Sequence, residues 1–327
     1  MSRLRLTAAV SDYDHVRDLW SGAVEVEGIE LIHLQLPVEE IFFRFTAFRE
    51  WEVSEMSMGA FASLRSRGDR SMAAIPVFPS RVFRHSAIYV PAGSRLEDPE
   101  QLRGCRVGVP EWAQTAGIYA RGVLSERYGV GLTDVEWYQA GLDQAGRPEK
   151  VPVRLPDGVR LTRLQDRTLD GMLRAGDLDA VISARPPRSY DAGAVRRLIR
   201  NAREVEEAYW RQSGVFPIMH VVVIRSDVLD VHPWVAMSLY KAFDEARRRG
   251  VERLSNVNAS SLPIPWGADA AERGRELFGG EYWPYGLEPN RVTLQAFLRY
   301  AAEQGVCDRA LTAEELFAAS TSRSFRV

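Results

Sequence analysis

Phe216-Pro217-Ile218-Met219-His220-Val221-Val222-Val223-Ile224 is an apolar run rich in β-branched residues. Such a run reads as a long buried strand. Its position decides the architecture. Before it, strand-like and helix-like stretches alternate. After it come mostly helices, over about 233–249, 268–278, 291–304 and 313–319. The alternation predicts mostly parallel sheets flanked by helices, an α/β fold. The helical ending fits a chain that leaves a first lobe, builds a second, and returns along this strand.

Upstream, residues 4–10 read as the first strand, stopped by the polar turn Ser11-Asp12-Tyr13-Asp14. A helix follows over about 14–23, then a strand over 28–35. Pro37 opens a helix over 38–49, at a position where proline is tolerated. Residues 53–57 form a short strand and 59–66 a helix. An extended stretch runs from Met72 through Val90. The second unit starts near Gly93, with strands at 105–110, 135–138 and 178–184. Helices are expected at 116–128 and at 169–175, the latter ended by Gly176. The segment 141–158, rich in glycine, proline and charge, reads as a long loop.

The chain has 327 residues, 46% hydrophobic and 26% charged, with a formal net charge of -2. The length suits two domains, each with its own core. The charge balance argues against a nucleic-acid binder. No stretch is long and apolar enough for a membrane span, and no secretory h-region opens the sequence. A cytoplasmic protein is expected. Cys105 and Cys307 form no CxxC and no zinc spacing, so they read as two reduced, buried thiols. Subunit number is left open, a homo-oligomer included.

Several runs carry a resemblance. They are Pro37-Val-Glu-Glu-Ile-Phe, Glu55-Met-Ser, Ile75-Pro-Val-Phe-Pro-Ser-Arg-Val-Phe-Arg-His-Ser and Arg106-Val-Gly-Val-Pro-Glu. Asp179-Ala-Val-Ile-Ser-Ala-Arg-Pro-Pro, Phe216-Pro-Ile-Met-His, Trp283-Pro-Tyr-Gly-Leu and Glu303-Gln-Gly complete the set. Together they resemble the 4,5-dihydroxyphthalate decarboxylase family, over nearly the whole chain. The resemblance implies a type 2 periplasmic-binding-protein-like fold: two α/β lobes with a ligand cleft between them. Lobe one would comprise 1–88 plus 217–327, with the C-terminal helices, and lobe two 89–216. The crossings would lie near 86–91 and 213–220.

In such sheets ligands collect at the carboxyl ends of strands. The loops facing the cleft would be 11–14, 55–57, 80–85, 110–115 and 184–187. They supply Asp14, Glu55, Ser57, Ser80, Arg81, His85, Trp112, Thr115 and Arg185; His220 sits on the return strand. In an extended segment Arg81 and His85 share a face and Arg84 points the other way. Arg81 is therefore expected to anchor an anion with His85 beside it; ordinary ion pairs are the alternative. Thr115 stands where a helix starts, either as a carboxylate site or as a plain cap. Arg185 is a second carboxylate clamp. His220 is either a hydrogen-bonded core histidine or a catalytic one. Glu55 and Asp14 are cleft acids or helix caps, and Trp112 stacks on a ligand or packs at the rim. No HxxxH, HxE or clustered His/Asp set is present, so no metal site is expected, although spatial convergence of two histidines and a glutamate stays open.

The resemblance implies non-oxidative loss of CO2 from 4,5-dihydroxyphthalate, or a closely related hydroxylated aromatic acid, giving 3,4-dihydroxybenzoate. An ionised hydroxyl para to the leaving carboxylate lets the ring accept a proton at the carbon that bears it. His85 or His220 would supply that proton, with Glu55 or Asp14 orienting a histidine or taking the phenolic proton. Arg81 or Arg185 would hold the carboxylate that stays. The route requires no organic cofactor, and the sequence has no glycine-rich dinucleotide fingerprint. The expected partner is a small aromatic carboxylate. The alternative is a solute-binding protein that does no chemistry on its anionic ligand.

Overall fold

A computed structural model describes residues 3–259 and 262–321. The first sheet uses β1 (Leu4–Ala9), β2 (Ile29–Leu34), β3 (Val53–Ser57), β4 (Met72–Ile75) and the return strand His220–Arg225. The second uses β5 (Ile88–Pro91), β6 (Arg106–Val109), β7 (Glu136–Gly141), β8 (Arg160–Thr168), β9 (Ala180–Ile182) and β10 (Val195–Arg197), which makes the return strand β11. Strand order is β2-β1-β3-β11-β4 in one sheet and β10-β5-β9-β6-β7-β8 in the other.

Both sheets are mixed. β1 runs parallel to β2 and β3, whereas β11 is antiparallel to β3 and β4. β9, β6, β7 and β8 run parallel, with β5 antiparallel to β9 and β10. The return strand enters the middle of a finished sheet, so both its faces are covered. Val221, Val222, Val223 and Ile224 are each 0% exposed. Full burial of such side chains contributes about 1.5–3 kcal/mol apiece, which is why this run is continuously apolar.

The helices are α1 (Arg17–Trp20), α2 (Val38–Phe48), α3 (Met58–Ser66), α4 (Thr115–Tyr128), α5 (Leu169–Ala175), α6 (Ala202–Ser213), α7 (Ser226–Val231), α8 (Val235–Leu254), α9 (Gly267–Phe278) and α10 (Arg291–Glu303). Among the described residues no helix is long and apolar enough to cross a membrane. Residues 313–319 hold a short 3-10 turn, Glu314–Leu316, and the start of a second, Ala319–Thr321, in place of the expected helix. The expected extended stretch from Met72 to Val90 breaks after Ile75. Both cysteines are free, but only Cys307 is buried; Cys105 is partly exposed.

Two connecting segments link the sheets and lie side by side. Arg81 bridges Ile218, Met219 N–H donates to Ser80 O at 2.8 Å, and Val82 N–H donates to Pro217 O at 3.3 Å. On the first sheet's side, Ala318 N–H donates to Ala74 O at 2.8 Å, and Arg249 of α8 donates to Ala23 O at 2.9 Å. α10 reaches across to α4. There Gly122 leaves room for Tyr300, whose ring would lie 2.5 Å from any Cβ. Gln304, just past α10, donates to Ile118 O at 2.8 Å.

Candidate active site

A cavity of about 410 Å³ opens between the two sheets. Its walls include Phe42 from α2, Ser57 at the end of β3, Ser80 and Arg84 from the first connection, and His220 from β11. The second sheet contributes Gln114 and Thr115 at the start of α4, Ser183 and Arg185 after β9, and Arg147 and Lys150 from the 141–158 segment.

Strand register explains the deepest feature. His220 lies opposite Ser57 in the β3–β11 ladder, and Val222 lies opposite Glu55. Opposed residues share a face, and so do residues two apart, so Glu55 is the diagonal neighbour of His220. His220 Nδ1–H donates to Glu55 Oε1 at 2.6 Å. Tyr13 O–H donates to the same oxygen at 2.6 Å and lies 3.2 Å from Nδ1. Ser11 N–H donates to Glu55 Oε2 at 2.8 Å. Glu55 is 0% exposed. Burial pushes its pKa up, but the bonds from His220, Tyr13 and Ser11 outweigh that and hold it below the usual carboxylate value. Burial and the neighbouring Glu55 charge push the Tyr13 phenol well up, so it remains a proton donor. With Nδ1 committed to Glu55, Nε2 is the nitrogen His220 has left for a ligand.

The start of α4 forms the facing wall. Gln114, its N-cap, makes no side-chain cap bond, and the first N–H groups of a helix have no partner within it. With the helix dipole they favour an anion. α3 also starts at the cavity, but its first donors are spent: Met58 N–H on Met219 O at 2.9 Å and Gly59 N–H on Thr115 Oγ1 at 2.9 Å. Thr115 Oγ1 also lies 2.9 Å from Ser57 Oγ. These bonds join α3 to α4, and therefore one sheet's elements to the other's. A Cβ on Gly59 would sit 2.3 Å from Ala113 O, so the approach of the two helix starts requires glycine there.

Of the residues singled out in the sequence, Ser57, Ser80, Thr115, Arg185 and His220 line the cavity, and Glu55 stands directly behind His220. Four do not line it. Arg81 is 5% exposed; its guanidinium donates to Pro284 O, Phe216 O and Asn290 Oδ1 and packs on the Phe78 and Phe216 rings. His85 is 3% exposed, edge-on to Tyr209, and burial lowers its pKa to about 4. Trp112 is 0% exposed, donates Nε1–H to Gln304 O at 2.8 Å, and is covered by Arg121. Asp14 is paired with Arg17 and Arg253.

The extended segment expected from Arg81 to His85 ends at Arg84 (φ -125°, ψ 10°), where a 3-10 turn, His85–Ala87, begins, so strand alternation does not set these faces. Arg81 and His85 turn into the core, and Arg84 turns to the cavity. Arg84 donates to Ala184 O at 3.0 Å and, among the described residues, has no carboxylate within ion-pair distance. Burial lowers its pKa to about 10, which leaves it cationic at neutral pH. Tyr13, Glu39, Glu111, Arg147 and Lys150 were also not singled out. Tyr13 and Glu111 lie in the loops 11–14 and 110–115 expected to face the cleft, whereas Glu39 lies on a helix that nothing in the sequence turns towards it.

A 4,5-dihydroxyphthalate decarboxylase of Comamonas testosteroni is 34% identical over 330 residues, covering all of both chains. The chain belongs to the 4,5-dihydroxyphthalate decarboxylase family. A second relative of the same name, from Pseudomonas putida, is 37% identical over 194 residues, 59% of this chain and 75% of its own. No protein-family model matches the chain. Among solved structures, the periplasmic aliphatic sulphonate binding protein SsuA from Escherichia coli superposes with a TM-score of 0.56 at 11% identity, over 98% of this chain and 99% of its own. The desulfurization enzyme DSZB does so with a TM-score of 0.55 at 16% identity, over 97% and 96%. The fold is the periplasmic-binding-protein-like one expected from the sequence.

Proposed function

We propose that this chain is a carboxy-lyase that removes CO2 from 4,5-dihydroxyphthalate, or a closely related hydroxylated aromatic acid, leaving 3,4-dihydroxybenzoate. The observation that carries this reading is the buried Glu55 carboxylate bonded to Nδ1 of a cavity-lining histidine, in a chain with a full-length relative named as the decarboxylase. A ligand that is only bound needs no proton donor. Decarboxylation of an aryl acid does, because departure of CO2 without protonation leaves an aryl anion.

His220 is the donor in this reading. Glu55 fixes the ring and faces the charge of its imidazolium, so the proton is presented from Nε2. Transfer to the ring carbon that bears the leaving carboxylate makes that carbon tetrahedral. Its C–C bond then breaks to release CO2, and the electron pair returns to the ring. Arg84 and the uncapped start of α4 hold the carboxylate that stays. Tyr13 and Ser11 position Glu55. The route itself calls for no organic cofactor, because the ring carries the charge.

The test is incubation with 4,5-dihydroxyphthalate, following CO2 and 3,4-dihydroxybenzoate together. Stoichiometric appearance of both is expected. Tight binding without turnover would overturn the reading.

A further inference from the structure

One end of the cavity holds four charged side chains that the reaction described so far does not use. Glu39 comes from α2, Glu111 follows β6, and Arg147 and Lys150 come from the 141–158 segment. Arg147 Nη2–H donates to both Glu39 oxygens at 3.1 and 3.0 Å, and its Nε–H donates to Glu111 Oε1 at 2.5 Å. Lys150 Nζ lies 2.7 Å from Glu39 Oε2 and 3.3 Å from Glu111 Oε1. Each acid thus meets both bases, and the set is neutral.

The donors are not all used. Guanidinium has five N–H groups and ammonium three. Among the described residues Arg147 Nη1 makes no hydrogen bond, and the ammonium keeps a proton beyond its two carboxylates. Glu39 is the exposed partner, its side chain 57% exposed; Glu111 is at 6%. The cluster also faces the His220 wall across one ring. Phe42 has its centroid 4.9 Å from that of His220, and Lys150 Nζ stands 6.0 Å from the centre of the same phenyl.

A hydroxybenzoate ligand has two chemically opposite ends. Protonation of one ring carbon draws electrons from the hydroxyl para to it. That hydroxyl needs cations to hold a phenolate and a nearby base to take its proton. A carboxylate end asks for donors alone, which Arg84 and the α4 start supply.

We propose that the Glu39–Arg147–Lys150–Glu111 cluster is the phenol end of the active site, with Lys150 and Arg147 holding the phenolate and Glu111 accepting its proton. This rests on the decarboxylase reading. The hydroxyl O–H bond breaks and its proton passes to Glu111. The ring carbon para to it takes the proton of His220 Nε2, CO2 leaves, and Glu111 returns its proton to the phenolate oxygen. One external proton, through His220, replaces each CO2. Selection follows: an aromatic acid with a hydroxyl para to a carboxylate is turned over, and one without it is bound only.

The experiment uses the whole chain, with Lys150→Met and Glu111→Gln, and three readouts. The first is turnover of 4,5-dihydroxyphthalate. The second is the ultraviolet phenolate band of bound 3,4-dihydroxybenzoate across pH, with the other ionisable groups unaltered: Arg84, Arg185 and His220 on the cavity wall, and Glu149, whose charge interacts with that of Glu111. The third is the affinity for phthalate, which lacks hydroxyls. Expected are wild-type turnover, a fall in kcat of about a hundredfold in each variant, a phenolate band that appears at lower pH in wild type than in Lys150→Met, and phthalate affinity within about twofold of wild type in both. Wild-type turnover with unchanged kcat in both variants overturns the phenol assignment and leaves the decarboxylase reading standing. Loss of phthalate affinity equal to the loss for the dihydroxy ligand also overturns it, by showing a carboxylate site. Absence of wild-type turnover overturns the decarboxylase reading and this assignment together.

Discussion

Glu55→Gln keeps the shape of a fully buried side chain and removes its charge. The carboxylate accepts three bonds: His220 Nδ1–H and Tyr13 O–H on one oxygen, Ser11 N–H on the other. An amide offers one accepting oxygen and an NH2 that only donates. If the oxygen stays towards Tyr13 and His220, the NH2 confronts the Ser11 N–H. A buried donor then loses its partner, at about 1–3 kcal/mol. If the amide turns over, Ser11 keeps its bond and the NH2 donates to Nδ1. That fixes His220 as the neutral tautomer, with its proton on Nε2. In both cases the imidazolium loses a charge-assisted bond worth about 1.5–3 kcal/mol, or roughly ten- to a hundredfold in rate. The assay is steady-state decarboxylation, with nitrogen-15 spectra of the histidine ring to read the tautomer. A fall in kcat of about that size, with KM little changed, is expected. The pH dependence of stability checks the same carboxylate. Its folded pKa lies below the ordinary 4.5, so its stabilisation is full above 4.5 and is lost as pH falls through the lowered folded value. The wild-type minus Glu55→Gln difference in unfolding free energy should shrink over that acid window. An unchanged kcat, ring tautomer and acid limb would refute the reasoning.

Arg84→Met should raise KM for the aromatic dicarboxylate about tenfold or more with a smaller change in kcat, since it removes a ground-state anchor; an unaltered KM would take Arg84 out of the binding wall. Arg81→Ala should lower stability by roughly 2–3 kcal/mol in urea unfolding, because Asn290 Oδ1 and Phe216 O lose their donor while Pro284 O keeps only Asn290 Nδ2–H, and folded protein keeps its KM. His85→Asn should leave kcat within about twofold, because the ring lies off the cavity; a large loss would contradict that placement. Gly59→Ala should weaken aromatic acid binding and lower Tm, because the new Cβ meets Ala113 O at 2.3 Å and pushes the starts of α3 and α4 apart; calorimetric binding and thermal unfolding check both.

The elements most legible in the sequence are short, buried ones with clear ends: α5 follows the helical period and β3 is buried at four successive residues. The residues expected at 53–57 and 169–175 match β3 and α5 at both ends. β8 went unseen for the opposite reason. Leu161-Thr-Arg-Leu-Gln-Asp-Arg within it is mostly exposed on both faces of an edge strand, so no apolar alternation marks it. The site shows the same division. His220 attracted notice as a polar residue inside an apolar run, and Glu55 as an acid at a strand end. Their pairing depends on the antiparallel register of β3 with β11, which joins residues far apart in sequence and leaves no local pattern. Arg81 and Arg84 show the limit of period-2 reasoning: it assumes an extended segment, and the chain bends at Arg84 into the 3-10 turn His85–Ala87. Arg81 is held by Asn290 and Pro284 from the C-terminal region, contacts that no reading of the 80–85 loop could supply.

The fold does not separate a binding protein from an enzyme, since both SsuA and DSZB superpose on it. Charge distribution offers a better criterion. A receptor for an aromatic dianion gains by gripping both carboxylates. A decarboxylase loses by doing so, because tight pairing of the departing group stabilises the ground state. The cavity carries four basic residues beside His220, but three of them have acid partners. Arg185 is tied to Asp143, and Arg147 and Lys150 are tied to Glu39 and Glu111. Among the described residues Arg84 is the cavity-lining cation without a carboxylate partner. One guanidinium without an ion pair and one uncapped helix start can hold one carboxylate firmly. In the proposed reaction the second carboxylate of a phthalate is then left to the wall that carries His220. Adding a second free cation near that wall should therefore raise affinity and slow turnover: Ser57→Arg is expected to lower the Kd for phthalate and to reduce kcat by about tenfold or more. If such a variant gained affinity and kept its kcat, weak holding of the departing carboxylate would have no part in the rate.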